Sequence, residues 1–175
     1  MILKGFKEKS NKKYINKCVN NRVVATNNDA IKSVGVLVDS NEFSDLEWIN
    51  SLINEIKVNQ NNLKILSLFN NKKEETSVFN NTFSEKELGW KGQFKSQTVK
   101  DFLSTKFDLL INFYETNTLA LQVVSATANA QLKVGINNAN LEINDLIIET
   151  KIKDKEIFKS ELIKYLNILN KISNE

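Results

Sequence analysis

Apolar positions along the chain fall into short dense runs separated by longer stretches of helical spacing. Ser33 to Asp39 (SVGVLVD) is a β-branched run bounded by polar residues and reads as the first strand. Leu46, Ile49, Leu52, Ile53 and Ile56 then recur at helical spacing, behind Ser44-Asp45-Leu46-Glu47, which fits an S-x-x-E capping box. Trp48 lies off the centre of that stripe. Leu63 to Phe69 (LKILSLF) is the second strand. The centre of the chain, Phe107 to Ile136, reads as strand, helix, strand. Its first strand (Phe107, Leu109, Leu110, Ile111, Phe113) is nearly continuous in apolar residues, as expected of a strand covered on both faces. Leu119 to Ala130 follows as a helix rich in alanine, and Leu132 to Ile136 as the next strand, with a turn at Asn137-Asn138. A right-handed crossover is expected for such a unit. Asp145 to Thr150 supplies a last strand, and Phe158, Leu162, Tyr165, Leu166, Leu169 and Ile172 mark the buried stripe of a terminal helix.

Two regions are less regular. Residues 1–20 draw as a helix with Leu3, Phe6, Ser10, Tyr14 and Cys18 on one side, followed by an asparagine-rich linker into Asp29. Between residues 70 and 96 a polar connection (Asn70 to Glu75) precedes Ser77-Val78-Phe79, a candidate edge strand. Ser84 to Glu87 fits a cap on one helical turn, and Leu88 to Lys95 has no period. Thr98 to Thr105 is a short helix with Val99, Phe102 and Leu103 inward. The pattern predicts a three-layer α/β sandwich, Rossmann-like or flavodoxin-like, with a mostly parallel sheet of about five strands. Residues 1–29 form a basic arm or helix with its linker, and residues 30–175 one domain.

Composition narrows the chemistry. At 175 residues, 41% hydrophobic and 26% charged, the chain has the make-up of a globular domain. It contains no His, which removes Ser-His-Asp and Cys-His catalysis and every His-containing zinc site. Cys18 is the sole cysteine, so thiolate zinc sites and internal disulfides go too. Neither G-x-x-x-x-G-K-[ST] nor G-x-G-x-x-G follows a strand. No cofactor and no metal are expected. The N-terminal segment lacks the apolar middle of a secretory signal, and a cytoplasmic location is expected. Residues 1–25 carry seven basic residues against one acidic residue, so a balance of +6 there meets −3 over the remainder.

These observations give two sets of candidate residues. Ligands of open α/β sheets gather outside the carboxyl ends of the strands, where Asp39, Ser40, Asn112, Glu115, Thr116, Asn117 and Asn137 belong. Asp39 with Glu115 is the carboxylate pair this placement offers; each also has an ordinary role in turns and caps. Asparagine is abundant, at 26 residues, so any single one is weak evidence of a site. The second set is basic: Lys4, Lys7, Lys9, Lys12, Lys13, Lys17 and Arg22 in the arm, with Trp90, Lys91, Phe94 and Lys95 further on. Lysines neutralise phosphates and aromatic rings stack on bases; the competing role for Trp90 and Phe94 is to plug the sheet edge. For the arm, RNA or a ribonucleoprotein surface competes with an anionic membrane surface and with a plain structural role, as a solvated tail or a helix docked on its own domain. A homodimer is a further option. The leading expectation is a non-enzymatic cytoplasmic binding protein that contacts RNA or a ribonucleoprotein. The alternative is a small ligand-binding or enzymatic domain taking a nucleotide or sugar phosphate at the strand ends.

Two resemblances bear on this choice. Phe107 to Ile136 resembles a βαβ segment in the N-terminal half of heptosyltransferase-type glycosyltransferases, with Asp108, Ala126, Ala128, Lys133 and Gly135 at comparable positions. That likeness covers about thirty residues; it implies the topology and no catalytic residue. The chain as a whole resembles an uncharacterised family of short bacterial proteins with a Lys-rich N-terminal arm. The matching motifs are the first strand, Lys32 to Asp39, and the core strand, Phe107 to Ile111. No activity is implied by that likeness.

Overall fold

A computed structural model describes residues 2–24, 29–70, 77–136 and 141–173. The centre of the 20–29 linker, nearly all of the polar connection after Asn70, and the turn at Asn137-Asn138 lie outside the described residues. In chain order the elements are α1 (Ile2–Asn21), β1 (Val34–Asp39), α2 (Leu46–Glu55), β2 (Leu63–Leu68), β3 (Thr82–Phe83), α3 (Gln97–Ser104), β4 (Lys106–Phe113), α4 (Leu119–Thr127), β5 (Asn129–Ile136), β6 (Leu146–Ile148) and α5 (Lys155–Ile168).

The strands form one sheet in the order β3-β2-β1-β4-β5-β6, and every pairing is parallel. The sheet thus has six strands rather than about five. Register runs straight across its middle, with Val36 beside both Ile65 and Ile111, and Ile111 beside Val134. Alternate side chains feed two cores. Val34, Val36 and Val38 face α2 and α5 through Ile49, Leu52, Phe158 and Leu162. Leu37, Leu66 and Leu68 face the other way, into a cluster with Val99 and Phe102 of α3 and Leu121 and Val124 of α4. Each such side chain contributes roughly 1.5–3 kcal/mol on leaving water, and the runs Val34–Val38 and Leu109–Ile111 carry no polar side chain. Trp48 is part of the first core, stacked on Phe113 with Phe43 edge-on to both.

Several boundaries differ from the expected ones. The edge strand is Thr82–Phe83, not Ser77–Phe79, because the donors of β2 reach Asn81 and Phe83 (Ser67 N to Asn81 O, 2.9 Å; Phe69 N to Phe83 O, 2.8 Å). Phe79 is instead a buried core residue. The cap of α2 is Asp45, one residue past Ser44; its Oδ1 accepts from Trp48 N at 2.9 Å and its other oxygen pairs with Lys155. α4 ends at Thr127, so Asn129 and Ala130 open β5 instead of closing the helix.

Candidate nucleic-acid interface

α1 lies across α4, with Ile15 in the second core and Tyr14, Cys18 and Val19 packed around it. The expected stripe of Leu3, Phe6, Ser10, Tyr14 and Cys18 is therefore rotated: Asn11 and Ile15 are the buried positions, while Leu3 and Phe6 face solvent. Asn11 is fully buried and ties the helix to a distant turn. Its Nδ2 donates to Gly89 O (2.9 Å) and to Lys7 O (3.1 Å), and its Oδ1 accepts from Gly92 N at 2.7 Å. Gly92 has a left-handed φ of +73°, and a Cβ there would stand 2.1 Å from Tyr14 Cε1. Both its conformation and its closeness to α1 demand glycine.

This contact joins the two basic segments. Lys4, Lys9, Lys12, Lys13 and Lys17 are exposed on α1 and Lys7 is half-buried; Lys12 is paired with Glu8 at 2.7 Å. Lys13 and Lys17 share a groove of about 650 Å³ with Lys91, lined also by half-buried Tyr14 and by exposed Asn16 and Asn20. Trp90, next to Lys91, is 47% exposed, and Lys95 is exposed as well. Two residues of the basic set belong elsewhere. Phe94 is only 5% exposed and meets Phe83 edge-to-face at 5.7 Å, so its ring is core and offers no face to a base. Arg22 is bound by both oxygens of Asp145 (2.7 and 2.6 Å) and by the carbonyls of Ala130 and Gln131, so its charge is spent fastening the end of α1.

The other candidate set lies where strand order reverses, between β1 and β4. Asp39 is buried, and its Oδ1 accepts from Asn41 N (2.8 Å) and Asn41 Nδ2 (2.7 Å). Burial pushes the Asp39 carboxyl up from its ordinary value, with Glu42 and Glu85 as the nearby carboxylates. Ser40 Oγ meets Ser67 Oγ and, at 3.2 Å, Ser77 Oγ. Glu42, in the loop after β1, reaches the loop after β4: its carboxylate accepts from Glu115 N (2.7 Å) and Thr116 N (2.8 Å). Glu115 Oε1 accepts from Ile152 N at 2.8 Å, and Asn117 O accepts from Gln122 Nε2 at 2.9 Å. Asn112 is sealed inside, donating to Asn144 Oδ1 (2.7 Å) and accepting from Ser125 Oγ (2.8 Å). Asn137 lies outside the described residues. The chain's own groups hold the described members of this set, and Asp39 and Glu115 serve separate loops.

Sequence reasoning missed Asn11, Glu42 and Lys133. Lys133 is 1% exposed, with Nζ donating to Ser125 O (2.6 Å) and Ala126 O (3.2 Å) in the last turn of α4, the negative end of that helix. Burial, then the Arg22 guanidinium, push its ammonium down to about 7. A charged residue inside an apolar strand was the available signal. Among the described residues no group of Asp, Glu or Cys is placed to hold a metal, and no helix is long and apolar enough to cross a membrane.

Strand order and layering define a Rossmann-like α/β protein that carries a lysine-rich helix on one face. Residues 7–169 match the model of a family of unknown function, DUF6913, and the chain belongs to that family. This agrees with the resemblance of the chain as a whole; the heptosyltransferase-type likeness of residues 107–136 is not shown. No curated protein and no solved structure matches the chain.

Proposed function

We propose that this is a cytoplasmic, non-enzymatic binding protein whose α1 face engages RNA, free or within a ribonucleoprotein. One observation carries the reading: Asn11 fastens the lysine helix to the Trp90 turn, so two basic segments some eighty residues apart become a single surface. Lysines along one surface displace counterions from a polyanion and need no fixed partner geometry. At the strand ends, both oxygens of Glu42 and one of Glu115 accept from backbone N–H groups, which supports a structural use of these carboxylates and a binding role elsewhere.

Removing the arm is a poor test, since Ile15 and Asn11 would leave the core with it. Charge reversal is better. RNA affinity measured against salt for the wild type and for Lys13→Glu/Lys17→Glu/Lys91→Glu should show tight, salt-sensitive binding only in the former, with a slope reduced by roughly 0.7 for each lost phosphate contact. Equal affinity in both proteins, or binding to anionic vesicles but not to RNA, would overturn the reading.

A further inference from the structure

We infer that the groove between α1 and the Trp90 turn takes single-stranded RNA in preference to duplex. This rests on the proposed RNA-binding role and specifies its ligand. Lys9, Lys13 and Lys17 follow one another at four-residue steps, which the helical rise places about 6 Å apart along one edge. Lys91, from the Trp90 turn, lines the same groove as Lys13 and Lys17. The lysine row is only about 12 Å long. Duplex RNA is recognised by shape, through contacts spread over two successive minor grooves, about 16 base pairs. A row this short meets only a few successive phosphates of one strand.

The neutral residues point the same way. Asn16 and Asn20, exposed where they line the groove, present side-chain amides, each with donors and an acceptor, which suit the base edges that only an unpaired strand displays. Trp90, directly before Lys91 in the turn that Asn11 holds, leaves almost half its surface open. An exposed indole beside lysines is the pairing on which successive unstacked bases settle, whereas bases inside a duplex already stack on each other.

The indole also provides the readout. Trp48 is locked in the aromatic core, so a fluorescence change on binding reports Trp90. The full chain is titrated with a short oligouridylate and with a blunt RNA duplex carrying the same number of phosphates. The oligouridylate should bind about tenfold tighter and quench the emission; Trp90→Ala should weaken it about tenfold and remove the quench, while Trp90→Phe retains most of the affinity. Duplex binding as tightly as the single strand, or Trp90→Ala binding unchanged, would overturn this inference while leaving the lysine-dependent RNA reading intact. Failure of both RNAs to bind at low salt would overturn both.

Discussion

Lys133 places an ammonium in a strand whose neighbours are apolar, and its cost and its purpose can be separated by pH. The purpose is to close the last turn of α4 through Ser125 O and Ala126 O. The cost is desolvation, which lowers its pKa from 10.5 to about 7 in the fold. Below pH 7 folded and unfolded chains both carry the proton, and the penalty is fully present. Between about 7 and 10.5 the unfolded chain holds more protons, so stability rises with pH, by on the order of 5 kcal/mol over the whole window. Tyr114, pushed up to about 12 by burial, titrates above this window. Melting temperatures from pH 6.5 to 9.5 (about the lower two thirds of the window) should therefore climb in the wild type, net of other groups, more steeply than in Lys133→Met. Parallel curves for the two proteins would show that the ammonium is not destabilised by burial. At this scale the sequence was only partly legible. A lysine between Leu132 and Val134 could be noticed, but its acceptors lie on a helix whose end was expected three residues later. Glu42 was hidden for a similar reason: its partners are backbone N–H groups more than seventy residues away, which no side-chain pattern announces.

The elements themselves were legible wherever burial on both sides forces one kind of residue. The middles of β1 and β4 are apolar because helices cover each face, and their strand character follows directly. β3 was not, because two residues carry no period; Phe79 and Phe83 are equivalent in sequence, and the hydrogen bonds of β2 choose between them. α1 shows the limit most clearly. Its lysines advertise a charged face, but its thin apolar stripe does not reveal which side docks, and an asparagine in an asparagine-rich chain attracts no notice. That docking rests on Asn11. Replacing it with Ala removes three hydrogen bonds and leaves Gly92 N–H and Gly89 C=O with no partner from α1. The expected loss is about 2 kcal/mol in urea unfolding, together with faster hydrogen exchange at the Gly92 amide. Unchanged exchange at Gly92 would mean that Asn11 does not fasten the turn.

Over the whole molecule, charge and architecture are segregated. The sheet's reversal point, where related architectures bind nucleotides, is closed by the chain's own Glu42 and Glu115. Positive charge collects on α1 and the turn it holds, on the α3/α4 side of the sheet. A ligand should therefore meet the protein at the helix layer and leave the strand ends undisturbed. Backbone amide chemical shifts during titration of the full chain with a single-stranded RNA decide this directly. The account predicts changes concentrated at Ser10 to Asn21 and Gly89 to Lys95, with Asn41 to Asp45 and Glu115 to Thr118 silent. Changes centred on those two strand-end loops, with α1 unmoved, would contradict it.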